Sequence, residues 1–201
     1  MRSDSIVFAV AGMCFGVILG WVIGVQQAGP QPPAALTAAA PASEGTGTGQ
    51  QALPLDEARV QSLMTVIKND PENAGAAVQL ANTYFDAEQY ADAITWYEES
   101  LRLDPSNPDA STDLGVSYYY LELTDRALEQ FEVSLKLDPD HTKTMLNQGI
   151  VLAFGRQDLA GAQAAWQRVV ALAPDSPEGQ AASRALEGIT AAGHGAAGPG
   201  G

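Results

Sequence analysis

Residues that could do chemistry are few in this chain, and their spacing excludes most of it. His141 and His194 are the two histidines and Cys14 the one cysteine among 201 residues. Neither histidine lies in an H-E-x-x-H pairing, which would turn two imidazoles on one helix face toward a zinc ion. Cys14 has no second cysteine for a disulfide or for a C-x-x-C-H haem attachment, and it sits inside a long apolar run. His141, beside Asp140, reads as a helix start. The expectation is a chain without catalytic residues, cofactor or metal. Recognition remains, and the residues suited to it are aromatic. Tyr118, Tyr119 and Tyr120 run consecutively, and a helix cannot turn three successive side chains into one core. At least one of them must meet a groove or solvent, where an aromatic ring is a good anchor for a peptide.

Charge narrows the partner. Ten basic residues face twenty-four acidic ones, a formal −14. From residue 55 onward nine basic and twenty-two acidic residues leave −13, so the part with helical patterning carries nearly all of it. Nucleic-acid binding needs a basic patch that releases phosphate counterions, and none is present. An acidic balance suits solubility or an apolar, basic partner.

The elements that must position the tyrosines follow a period. Residues 106–139 hold two apolar stripes at helical spacing, one through Leu114, Val116 and Tyr118, the other through Ala127, Leu128, Phe131 and Leu135. A polar corner at residues 122–126 separates them, and Asp138-Pro139 closes the unit. Steps of 34 residues link Pro71, Pro105 and Pro139, Tyr84 and Tyr118, Ala93 and Ala127, and Tyr97 and Phe131. A helix pair of this length cannot bury its apolar faces alone and must stack on its neighbours. The fold class is therefore all-α, a helical-hairpin solenoid over residues 55–190.

Its units span about 72–105, 106–139 and 140–174, the third one residue longer, with the extra residue expected in the corner around 154–161. Residues 55–69 read as a lone N-terminal half repeat. A capping helix is expected over 177–189, with Gln180, Ser183, Arg184 and Glu187 on a polar side, followed by a disordered tail at 191–201.

The pattern resembles the tetratricopeptide repeat (TPR). The middle unit offers Leu114, Gly115, Tyr118, Ala127, Phe131 and Pro139 at the family's positions and departs from it at Ser111 and Ser134. The first unit offers Leu80, Ala81, Tyr84, Ala93, Tyr97, Ser100 and Pro105. The third keeps Gly149, Ala162, Trp166 and Pro174 but has Gln148 and Leu152 where Leu and Tyr are usual. These residues pack the solenoid.

The resemblance implies a peptide-binding groove along the first helix of each unit. Its positions fall on Val78, Asn82, Phe85 and Asp86, on Asp109, Thr112, Val116, Tyr119 and Tyr120, and on Lys143, Leu146, Ile150 and Phe154. Some TPR domains clamp a C-terminal carboxylate in this groove. Here Asn82 and Lys143 match that set, but Val78, Asp113 and Asn147 take the other places, and Asp113 repels a carboxylate.

Residues 6–25 form twenty uncharged, mostly apolar residues, the length of a membrane-spanning helix. A signal peptide would have a shorter apolar core and small residues at its cleavage site, so the run reads as an uncleaved anchor. Arg2 precedes it and no Lys or Arg follows until Arg59, which places the N-terminus in the cytoplasm and the solenoid outside it. The expected location is a bacterial inner membrane, with the repeats in the periplasm. Gly12, Gly16, Gly20 and Gly24 lie four apart, a spacing that lets membrane helices associate, into a homo-oligomer or with a partner's helix. Residues 26–54, with five prolines, four glycines and eight alanines, read as a disordered tether.

Three functions follow as expectations. The first is a membrane-anchored scaffold binding a peptide or protein partner. The second comes from a resemblance to the TPR subunits of cytochrome c maturation, which present apocytochrome. The third is a structural oligomer held by the glycine stripe.

Overall fold

The computed structural model describes residues 53–196, and within them it contains eight helices and no strand. They are α1 (Glu57–Asn69), α2 (Ala74–Asp86), α3 (Tyr90–Leu103), α4 (Pro108–Tyr120), α5 (Thr124–Leu137), α6 (Thr142–Ile150), α7 (Leu159–Leu172) and α8 (Pro177–Ala196). α2/α3, α4/α5 and α6/α7 form three hairpins that stack in order. The apolar run at residues 6–25, with Gly12, Gly16, Gly20 and Gly24, lies outside the described residues, as does the linker up to Ala52. No described helix is long and apolar enough to cross a membrane.

Local sequence sets where each helix begins. Asp56, Asn73, Asn107 and Asp158 each accept a hydrogen bond from the backbone N–H three residues on, at 2.9–3.0 Å, which satisfies a donor the helix leaves open. Pro108 follows Asn107 in the first turn of α4, where its missing N–H costs nothing.

Within each hairpin the chain turns through one residue in the left-handed region: Glu88, Glu122 and Gln157, with φ of 58°, 61° and 58°. Each carries a Cβ and so costs about 1 kcal/mol. The turn offsets that by capping the preceding helix. Gln89 N–H donates to Tyr84 O at 2.9 Å, Leu123 N–H to Tyr118 O at 3.0 Å, and Asp158 N–H to Leu152 O at 2.8 Å.

Between the helices of a hairpin, a large ring faces a small residue. Tyr97, Phe131 and Trp166 are at most 2% exposed. A methyl group on Gly115 would come within 2.5 Å of the Phe131 ring, and one on Gly149 within 2.3 Å of Trp166 Nε1. Tyr118 is buried too. Its hydroxyl donates to Glu98 Oε1 at 2.6 Å and accepts from Arg126, joining α3, α4 and α5. Burial, followed by the bond to Glu98, pushes that hydroxyl up to about 12.

Two elements differ from the sequence expectation. The third unit's extra residue does not lengthen the corner. It widens the end of α6 into a π-helical turn, Val151–Gly155. Arg156 N–H reaches five residues back to Val151 O at 3.1 Å, so the insertion is absorbed without losing a backbone hydrogen bond. Gly155 makes room for it, because a Cβ there would lie 2.9 Å from Thr124 and 3.1 Å from Tyr119. The last helix also continues to Ala196, past residue 189, through a run rich in alanine that meets no proline before Pro199. Gln180, Arg184 and Glu187 lie on its exposed side, and Ala181, Ala182 and Ala185 on its buried one.

Candidate functional site: the shared face of α2, α4 and α6

The first helices of the three hairpins bring most of the sequence-predicted groove residues together. On α2, Val78, Asn82 and Phe85 are half-buried and Asp86 is exposed. On α4, Asp109 is exposed and Val116, Tyr119 and Tyr120 are half-buried, as are Lys143 on α6 and Phe154 in the π turn. Val78, Phe85, Val116 and Tyr119 rest on the core with part of their surface open. Asn82 is oriented by Tyr97, whose hydroxyl donates to Asn82 Oδ1 at 2.6 Å.

Thr112, Leu146 and Ile150 are corrections to the predicted set, being 0%, 1% and 2% exposed. Thr112 holds the position of Val78 one unit on, but its hydroxyl points into the seam between α4, α5 and α6. There it donates to Pro108 O at 2.7 Å and is hydrogen-bonded to Thr144 Oγ1 at 2.6 Å and Ser134 Oγ at 3.1 Å. Leu146 and Ile150 are covered because α6 packs on both α7 and α8.

The consecutive tyrosines divide as helical geometry requires. Tyr118 enters the core, and Tyr120 lies on an aromatic cluster. It stacks on Tyr90 with centroids 4.4 Å apart and planes 2° from parallel, and meets Phe85 edge-on at 5.7 Å. Phe85 also meets Tyr90 edge-on at 5.3 Å. Such pairs hold rings in place, so Tyr120 presents a fixed edge rather than a free anchor. Tyr90 is absent from the sequence-predicted set. It opens the second helix of its hairpin, and nothing local in the sequence connects it to Tyr120.

Charge gathers on the same face. Lys143 Nζ lies 2.8 Å from Asp113 Oδ1 and 3.7 Å from Asp109 Oδ1, and the Lys143 and Asp113 side chains are only 15% and 22% exposed. Burial pushes the Asp113 carboxyl up, and Lys143 partly offsets this. A hydrogen bond from His141, with Lys143 behind it, holds the Asp109 carboxyl below the usual range. Burial also raises Asp86; Arg59 opposes that rise and the Asp113 charge adds to it. Asp113 and Asp109 are one helical turn apart, so their shared face was legible, yet only the structure supplies the partner that holds Asp113.

His141 joins this cluster at the cap of α6. Its Nε2 lies 3.4 Å from Asp109 Oδ1, and its Nδ1 is hydrogen-bonded to Thr144 Oγ1 at 2.6 Å. Hydroxyl, imidazole and carboxylate in a line suggest a nucleophile relay. Thr144 is fully buried, however, between Thr112 and Ser134, so no substrate atom reaches its oxygen, and the line serves as a polar seam. Among the described residues no cluster of His, Cys, Asp or Glu has the arrangement of a metal site.

The seam predicts opposite outcomes at two equivalent serines. Ser134 Oγ donates to Pro108 O at 2.9 Å and is hydrogen-bonded to Thr144 at 2.8 Å. Ser100, 34 residues earlier, is fully buried with no partner for its hydroxyl, since Val78 and Ala110 occupy the places of Thr112 and Thr144. Ser100→Ala is expected to raise stability by about 1 kcal/mol, and Ser134→Ala to lower it by about 1–2 kcal/mol. Urea midpoints of the two variants against the parent chain check both signs.

Comparison with known proteins agrees with the paired helices and their 34-residue step. Residues 81–121 match the family profile described as TPR repeat, and residues 112–177 the profile described as tetratricopeptide repeat. The hairpins are tetratricopeptide repeats.

No curated protein matches the chain. Among solved structures, the first TPR of Spaghetti (RPAP3) bound to the HSP90 peptide SRMEEVD is 28% identical. It has a TM-score of 0.55 over 61% of this chain and 94% of that one. MamA 41-end from Desulfovibrio magneticus RS-1 is 23% identical, with a TM-score of 0.54 over 58% of this chain and 67% of that one. A further MamA crystal structure is 16% identical, with a TM-score of 0.54 over 69% and 88%. The MamA likenesses concern the TPR fold alone. In the TPR frame, the residues above lie on the first helix of each repeat.

Proposed function

We propose that this protein is a non-catalytic interaction scaffold whose TPR face, formed by α2, α4 and α6, receives a peptide or an extended segment of a protein partner. The observation that carries this reading is the open face itself. Val78, Asn82, Phe85, Val116 and Tyr120 keep accessible surface on three adjacent helices, and the hydrogen bond to Asn82 and the ring contacts of Phe85 and Tyr120 fix them before any ligand arrives. A preorganised face loses little side-chain entropy on binding. The RPAP3 domain, 28% identical, supports the class of ligand, since it is bound to a short peptide. Photocrosslinking from position 120 in the full chain, in its native membranes, tests the reading. Crosslinks to a partner that a Val116→Trp substitution abolishes are expected, whereas crosslinks unchanged by that substitution would place the partner elsewhere.

Residues 6–25 serve as the membrane anchor in this proposal and residues 26–54 as a tether on the order of 30 Å long on average. A reporter active only outside the cytoplasm, fused after Gly201, is expected to be active; a silent fusion reverses the orientation. In the sharper version the partner is an apocytochrome in cytochrome c maturation, and absence of saturable binding by cytochrome c-type C-terminal peptides removes it. The glycine stripe supports self-association of the anchor, which Gly16→Leu with Gly20→Leu is expected to abolish in a membrane.

A further inference from the structure

Resting on the peptide-groove reading, we propose that the partner segment is cationic, with a Lys or Arg side chain seated between Asp86 and Asp113, and that segments ending in acidic residues are rejected. Four charged side chains lie on α2, α4 and α6: Asp86, Asp109, Asp113 and Lys143, three negative and one positive. All four belong to one electrostatic neighbourhood, because Lys143 bridges Asp109 and Asp113, and Asp113 acts on Asp86.

The single cation is already engaged. An entering carboxylate must separate Lys143 from Asp113 at 2.8 Å and then stand among three like charges. Taking apart a mostly buried ion pair leaves an uncompensated charge behind, which is the costlier half of the exchange. An entering ammonium or guanidinium meets the opposite situation. Asp86 is exposed, and no ion pair engages it. Its repulsion with Asp113 is relieved by a positive charge placed between them. Val78, Phe85 and Val116, each half-buried, supply apolar surface for the methylene stem of a long basic side chain. The acidic balance of the whole chain, −14, steers such a segment inward from a distance.

The test uses the full chain and two fluorescein-labelled twelve-residue peptides, one of leucine and lysine and the other with glutamate at every lysine position, read by fluorescence anisotropy. The lysine peptide is expected to bind at least about tenfold tighter. Asp86→Asn with Asp113→Asn is expected to weaken it about five- to tenfold. Glu129→Gln with Glu132→Gln, which removes the same charge from the exposed side of α5, is expected to change it less than about twofold. If disturbing the buried pair unfolds the double variant, Asp86→Asn alone is expected to weaken binding about threefold.

Equal weakening by the α5 pair would reduce the attraction to diffuse net charge and overturn the assignment. Tight binding of the glutamate peptide that Val116→Trp blocks would overturn the charge assignment while leaving the groove intact. Absence of binding by either peptide would overturn the groove reading as well.

Discussion

Gly179→Ala is expected to detach the C-terminal helix from the solenoid and to lower stability by about 3 kcal/mol. Gly179 is the third residue of α8, where its N–H donates to Ser176 Oγ at 3.0 Å. A Cβ built there would meet Ala173 O at 1.9 Å, Ala173 C at 2.9 Å and Pro174 O at 2.9 Å. Those atoms are backbone, so no rotamer change relieves the contact, and the helix must tilt away from the turn that docks it. The equivalent position holds Ala76, Ala110 and Thr144 in the preceding units, so alanine suits the helix and only the approach of α8 forbids it. In a solenoid each unit is stabilised by its neighbours alone, and the loss should appear first as faster amide exchange in α8 and α7. Gly188→Ala, in the same helix with nothing within 4 Å of its Cβ, is the control. It is expected to stabilise by about 0.5–1 kcal/mol, from helix propensity alone. If both alanines behave alike, the close approach at Gly179 is absent.

Trp166→Ala is expected to cost about 3–5 kcal/mol, the range for removing a large buried ring. Trp166 is 2% exposed and fills the space between α6 and α7, against Gly149. Its Nε1 donates to Leu146 O at 3.1 Å, so the ring is held by a directional bond as well as by packing. Trp166→Phe keeps most of the volume but lacks the donor, and is expected to cost about 1–2 kcal/mol. Circular dichroism in urea distinguishes the two. Equal losses would mean that the hydrogen bond dominates, and a loss below about 1 kcal/mol for alanine would mean that the hairpin collapses onto the space. Trp166 also backs the helix that carries Lys143, so the alanine variant is expected to loosen the Lys143–Asp113 pair.

Much of this fold was legible from residues alone, because its rules are local. The caps Asn73 and Asn107, the Asp-Pro closures, and the ring and small-residue positions recur at a fixed step, and each acts within one hairpin. Ala93, Tyr97, Gly115, Ala127 and Phe131 therefore announced both the period and the core before any contact was known. The π turn at Val151–Gly155 was not legible, since a one-residue insertion can be absorbed by a loop or by a wider helical turn. The room at Gly155 beside Tyr119 and Thr124 decides between them.

Sequence by itself determined which helix of each hairpin faces the partner side; the third dimension decided which side chains remain open there. Val78, Thr112 and Leu146 occupy one repeat position, yet the first is half-buried and the other two are closed. Asn82, Val116 and Ile150 show the same progression. Helical periodicity assigns a side chain to a face, but exposure on that face depends on what the following unit lays over it. Toward the C-terminal end α7 and α8 cover α6, whereas α2 has a single helix before it. The engagement of Lys143 by Asp113, and the stacking of Tyr120 on Tyr90 across thirty residues, arise in the same way from units brought side by side.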